Sequence, residues 1–141
     1  MGINLACVGT CFPHRADKSL CALRPEIAHG QSVALFYPYW IRSSYHGNPR
    51  RFADIAAILR PDVAGRAEKE AAGLCHQIVA DFIHSIGLKL RLRDFDISEH
   101  DIPSLVAGVA GDLTVNPVPI RRDDLERVFH EILTESKTWT A

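Results

Sequence analysis

Apolar side chains recur every three or four residues along much of this chain. Across 67–86, Ala71, Leu74, Cys75, Ile78, Val79, Phe82, Ile83 and Ile86 make one continuous stripe, the pattern of a helix with one buried face. Gly87 follows at the place where a helix commonly closes on a left-handed residue. The same spacing links Val33, Phe36, Tyr37, Trp40 and Ile41, predicting a helix over His29 through Ser44. Pro38 lies inside it and is expected to kink it or end its first half, because proline lacks the N–H and crowds the preceding turn. Asn48-Pro49 reads as an N-cap and first helical residue. Phe52, Ile55, Ala56 and Leu59 continue that helix until Pro61 stops it.

Further along, Ser98 and Asp101 have the spacing of a capping box ahead of Leu105, Val106 and Val109. Asp123 and Glu126 repeat it ahead of Val128, Phe129, Ile132 and Leu133. Residues 115–120 (VNPVPI) read as an extended linker with two prolines. Residues 88–95 (LKLRLRDF) alternate like a strand, but a single strand without a partner is not stable, so they read as loop. Five or six helices and no sheet define an all-α chain, packed as a helical bundle.

Composition narrows the class. With 141 residues, 47% hydrophobic and 23% charged, residues 1–141 suit one globular domain with its own core. A net charge of -1 argues against nucleic acid or an acidic membrane as partner. No apolar run approaches the roughly 20 residues of a membrane span. Residues 1–12 are apolar without the basic start of a secretion signal, so a cytoplasmic location is expected. Cys7, Cys11, Cys21 and Cys75 then read as reduced thiols. The uncapped apolar start reads as an element whose partner is missing, as in a C-terminal fragment.

The chain has no GxGxxG, no GxxxxGK[ST] and no GxSxG, which removes the simplest nucleotide-binding and hydrolase readings. What remains is histidine. His14 follows Pro13, and His29-Gly30 opens an apolar helical run, with room beside the glycine for something bulky. Imidazole is a common ligand of iron and zinc. His14 and His29 could therefore meet at one ion, or serve as ordinary helix-end or core residues. A rival zinc set is Cys7, Cys11, His14 and Cys21, although the spacing matches no familiar structural zinc pattern and thiols buried in a helix account for it better. His76 and His84 lie off the stripe of their helix and are expected in solvent. His46, His100 and His130 read as turn or surface residues. Tyr37, Tyr39, Trp40 and Tyr45 form an aromatic cluster that reads as helix packing before a substrate cage.

Ordered motifs add what spacing does not. PHRADKSL (13–20) followed by HGQSVALFYPYW (29–40) resembles the signature of the iron-dependent alcohol dehydrogenase family. NPRRFADIAAIL, FIHSIGLKLRLRDFDISEHDIPSLV and VNPVPIRRDDLERVFHEIL follow in family order, so the likeness covers about residues 2–135. It implies the family's C-terminal helical domain, of dehydroquinate synthase-like fold. It implies that His14 and His29 match the last two metal-binding histidines. The remaining aspartate and histidine ligands, and the nucleotide-binding domain, have no counterpart here. Many members carry another histidine four positions after the first ligand; here that place is Lys18. The Pro13-His14-Arg15 form resembles the maleylacetate reductase side of the superfamily.

Two functions follow. The resemblance implies the metal-binding portion of a divalent-metal-dependent, NAD(P)-dependent alcohol dehydrogenase, with Fe²⁺ or Zn²⁺ as the ion. An alcohol or carbonyl compound would be the substrate of the complete enzyme. The isolated chain is expected to be inactive and not to bind NAD(P) alone, and to partner a missing N-terminal domain or form a homo-oligomer. The alternative is a stand-alone helical module that binds a partner without catalysis.

Overall fold

The computed structural model describes residues 10–88 and 91–135. Among the described residues, six α-helices run in chain order: α1 (Phe12–Leu23), α2 (His29–Ser44), α3 (Pro49–Leu59), α4 (Glu68–Ser85), α5 (Ile102–Gly108) and α6 (Leu125–Glu135). Short 3₁₀ turns connect several of them, and no strand occurs among the described residues. The all-α expectation holds. Helix α1 packs on α2 and α5, α2 also on α4, α3 on α4, and α5 on α6.

Two apolar clusters share α2 as a wall. The larger one gathers Phe12, Leu20, Phe36, Leu105, Leu125, Phe129 and Ile132 from α1, α2, α5 and α6. Phe12, Phe36 and Phe129 meet there with ring centroids 6.0–6.1 Å apart, a distance at which tilted and edge-on pairs add to simple burial. The smaller cluster gathers Ile41, Phe52, Ala56, Cys75 and Ile78 from α2, α3 and α4. Trp40 packs against both, and its ring lies 5.7 Å from that of Phe52. The aromatic cluster is therefore helix packing.

Asn116 ties these parts together. It is 4% exposed, in the segment read from sequence as a plain linker. Its Oδ1 accepts the Phe12 backbone N–H and the Trp40 Nε1–H, both at 2.9 Å. Its Nδ2 donates to the Leu113 carbonyl at 2.6 Å. The first N–H groups of a helix have no partner within it. Cys11 supplies no side-chain cap to α1 and Pro13 has no N–H to satisfy, so Asn116 caps α1 from about a hundred residues away.

Local chemistry explains the helix ends. Asn48 Oδ1 accepts from Arg51 N–H at the start of α3. Gly87, at φ 89°, ends α4 with Gly87 N–H donating to His84 O and Leu88 N–H to Ile83 O, the paired bonds of a Schellman closure. Asp101 Oδ2 accepts from the backbone N–H and the hydroxyl of Ser98, and these bonds hold its carboxyl below the usual carboxylate range. On the far side of α1, a β-carbon on Gly108 would collide with Ser19. Its absence lets the Ser19 hydroxyl reach the Leu105 carbonyl at 2.6 Å.

Three expectations change or narrow. Of the kink or end expected at Pro38, the end does not occur: α2 runs on to Ser44 with Pro38 buried inside it, since a proline removes only one backbone bond. Asp123 lies inside the turn Arg122–Asp124 that leads into α6, not ahead of the helix as a cap. The stripe on α4 is covered only in part: Ala71, Cys75 and Ile78 are buried, while Phe82 and Ile86 are exposed.

Replacing Asn116 by alanine strands two buried or half-buried donors and one carbonyl. The expected loss is about 3 kcal/mol, at roughly 1–3 kcal/mol for each buried group left unpaired. Urea unfolding should show it as a lower midpoint at unchanged slope.

Candidate metal centre

Helix α1 brings His14 to its first turn, and α2 begins at His29 itself. Packing of α1 on α2 sets the two imidazoles face to edge, with centroids 5.3 Å apart and planes at 63°. The expected pair of histidines thus meets. A β-carbon on Gly30 would touch nothing within 4 Å, so the surface beside His29 is open, as read from sequence.

Asp17 completes the cluster. It stands one turn beyond His14 on α1, is 4% exposed, and places Oδ2 2.7 Å from His29 Nδ1. An ionised carboxylate only accepts, so it takes a proton carried on His29 Nδ1, which in the neutral ring leaves Nε2 as the free donor nitrogen. The His29 side chain itself is 65% exposed. The carboxylate is thus inside and the free nitrogen's ring outside. The other oxygen, Oδ1, accepts from the Cys21 thiol at 3.2 Å. Sequence reasoning missed Asp17. The signal was available: a carboxylate at the spacing of Pro13, Ala16 and Leu20, on what becomes a buried face.

The donor set fits a divalent ion. Two imidazoles lie together, one with its second nitrogen already held by a carboxylate, as metal-bound histidines usually are. Among the described residues no group of three or more His, Cys, Asp or Glu converges on one point to hold a metal. The two imidazoles are the donors gathered here, and the oxygens of Asp17 are engaged by His29 and by the Cys21 thiol.

The cysteine alternative loses its geometry. Cys7 lies outside the described residues. Cys11 and Cys21 stand at opposite ends of α1, about 15 Å apart along the axis at 1.5 Å per residue, so they cannot share an ion. Burial pushes the Cys21 thiol up, and the hydrogen bond and charge of Asp17 push it further. Burial alone raises Cys75 to about 11. His76 and His84 are half-buried, not solvated; His76 Nδ1 lies 2.8 Å from Gly73 O. His46, His100, His130 and Lys18 are exposed. No described helix is long and apolar enough to cross a membrane.

Comparison with known proteins agrees with this architecture. Residues 2–133 match the C-terminal part of the Fe-containing alcohol dehydrogenase family, and the chain belongs to that family. It is similar to the 1,3-propanediol dehydrogenase of Citrobacter freundii, with 28% identity over 108 residues, covering 75% of this chain and 28% of that protein. It is also similar to a long-chain primary alcohol dehydrogenase of Thermoanaerobacter ethanolicus, with 29% identity over 125 residues, 84% of this chain and 31% of that one. The crystal structure of a 1,3-propanediol oxidoreductase superposes with a TM-score of 0.78 at 24% identity, over 88% of this chain and 33% of that one. An alcohol dehydrogenase from Oenococcus oeni gives 0.75 at 22%, over 86% and 32%. The structural likenesses establish the fold. The chain spans under a third of the length of these two curated relatives.

The raised thiols generate a test. At about pH 7.5, where thiolate is the reactive form, Cys75 should alkylate slowest and Cys21 slowly. Asp17→Asn removes a charge that raises the Cys21 thiol, so its thiolate fraction and alkylation rate should rise. Peptide mapping by mass spectrometry after iodoacetamide reports each site separately.

Proposed function

We propose that this chain is the metal-holding helical part of an NAD(P)-linked, divalent-metal-dependent alcohol dehydrogenase, with His14 and His29 as its ligands to Fe²⁺ or Zn²⁺. One observation carries the reading. Two histidines on different helices, at the positions matching the family's signature, have their rings 5.3 Å apart. A bound ion would polarise an alcohol or carbonyl oxygen as a Lewis acid. The chain's own residues hold donors in place: α1 and α2 fix the two rings, and Asp17 fixes the proton of His29 on Nδ1. The relatives' names, including butanol and long-chain alcohol dehydrogenases, support an alcohol or its carbonyl as substrate. The Pro13-His14-Arg15 form and Lys18 support the maleylacetate reductase side instead.

The complete site needs donors beyond these two, and hydride transfer needs a nicotinamide held elsewhere. We therefore read a nucleotide-binding domain as the natural partner of this chain, and the chain alone as inactive. A cytoplasmic location and a small-molecule substrate are part of the same reading. A second reading, a helical module that binds a partner without catalysis, draws support from exposed Ile55, Ile58, Leu59, Phe82 and Ile86. Ile58 alone is 78% exposed.

One preparation separates the two. The purified chain should bind Zn²⁺ by calorimetry, and His14→Ala or His29→Ala should weaken binding by about tenfold or more, the usual scale for losing a ligand or its support. With Zn²⁺ or Fe²⁺ and NAD⁺ or NADP⁺, it should oxidise no alcohol. Zn²⁺ binding untouched by both substitutions overturns the metal assignment, and turnover overturns the inactive isolated chain. Stable self-association with no metal binding would favour the second reading.

A further inference from the structure

We propose that Asp17 is the positioning residue of this metal centre: its carboxylate presets His29 as a ligand and supplies the negative charge that the site's backbone lacks. The inference rests on the metal reading above. Three observations carry it.

The first is geometric. Asp17 Oδ2 lies 2.7 Å from His29 Nδ1, and its Oδ1 is held by the Cys21 thiol. Both oxygens are anchored, so the carboxylate does not swing away when the exposed ring of His29 moves. In the neutral ring this contact favours one tautomer and leaves Nε2 free, before any ion arrives. A histidine free in solvent would have to choose both at the moment of binding, and that choice costs free energy.

The second is electrostatic. His14 stands in the first turn of α1 and His29 opens α2. Helix N-termini carry partial positive charge and disfavour a cation nearby. Arg15 and Lys18 flank the same stretch of α1, and Asp17 is the only acidic residue in that helix. Two neutral imidazoles at two positive helix ends make a poor cation site. A carboxylate behind one ring corrects the sign of the local field.

The third is burial. A carboxylate 4% exposed that is matched only by an imidazole and a thiol is costly to keep, since buried charge requires compensation. Among the described residues its hydrogen-bond partners are His29 and Cys21, with no lysine or arginine paired to it; Arg15 is turned to the carbonyls of Thr10 and Ala110. A purely structural role would be met more cheaply by a neutral side chain. A divalent ion on the far nitrogen of His29 gives the buried charge its counterpart.

The test uses the full chain at about pH 8, above the ordinary range of histidine titration. Long-range proton–nitrogen spectra report which nitrogen of His29 carries the proton, and a Zn²⁺ titration followed on the same ring signals gives Kd. In the wild type, His29 should carry its proton on Nδ1. Asp17→Ala should lose that preference and bind Zn²⁺ 10–100-fold more weakly, the scale found for outer partners of metal-bound histidine. Asp17→Asn keeps the size and one acceptor and should fall between, with an unchanged helical circular dichroism spectrum. If Asp17→Ala does not fold, Asp17→Asn decides alone. A Kd within about twofold of wild type in the folded variant, or a wild-type His29 protonated on Nε2, overturns the positioning role. Zn²⁺ that moves neither the His14 nor the His29 signals in the wild type overturns the metal reading itself.

Discussion

The amide of Asn116 holds the molecule at the point where its parts meet. It caps α1, receives the indole of the tryptophan that both apolar clusters share, and closes its own loop. The consequence reaches the candidate centre. With Phe12 fixed at one end, the turn of α1 that carries His14 and Asp17 is set against the start of α2, where His29 stands. Burial of Phe12 against Phe36 and Phe129 provides the bulk of the attraction, but apolar contact is not directional. The amide fixes the rotation of α1, and that rotation decides which side chains face His29.

The centre itself is layered. Outside lie two rings, one of them largely open to solvent. Behind them lies a buried carboxylate, and behind that a thiol whose proton Asp17 and burial both hold in place. On the proposed metal reading, openness at the front and burial at the back suit a site that takes further ligands beyond these two rings.

Much of this was legible in the sequence. Helices α2, α3 and α4 show their three-and-four spacing, and Pro49 and Gly87 mark ends that the backbone respects. Helix α1 is harder to see, because its buried face mixes Phe12, Ala16 and Leu20 with Asp17 and Ser19. The polar members are buried for bonds to His29 and to the Leu105 carbonyl, partners that no local pattern reveals. Asn116 was hidden for the same reason: its three bonds include two to residues far away in sequence. The stripe on α4 misled in the other direction. Its spacing predicts burial of Phe82 and Ile86, but helix length exceeds the surface that α2 and α3 cover. At the centre, the ordered motifs singled out His14 and His29, whereas Asp17 required the fold, since its role depends on a ring twelve residues away on another helix.

X-ray absorption at the zinc edge of the Zn²⁺-loaded chain tests the central claim most directly, because it reads the atoms around the ion. The account predicts two imidazoles among nitrogen and oxygen neighbours at about 2.0–2.1 Å, with no sulfur. A sulfur shell at about 2.3 Å, the distance of a cysteine thiolate, or a first shell without imidazole, would contradict it.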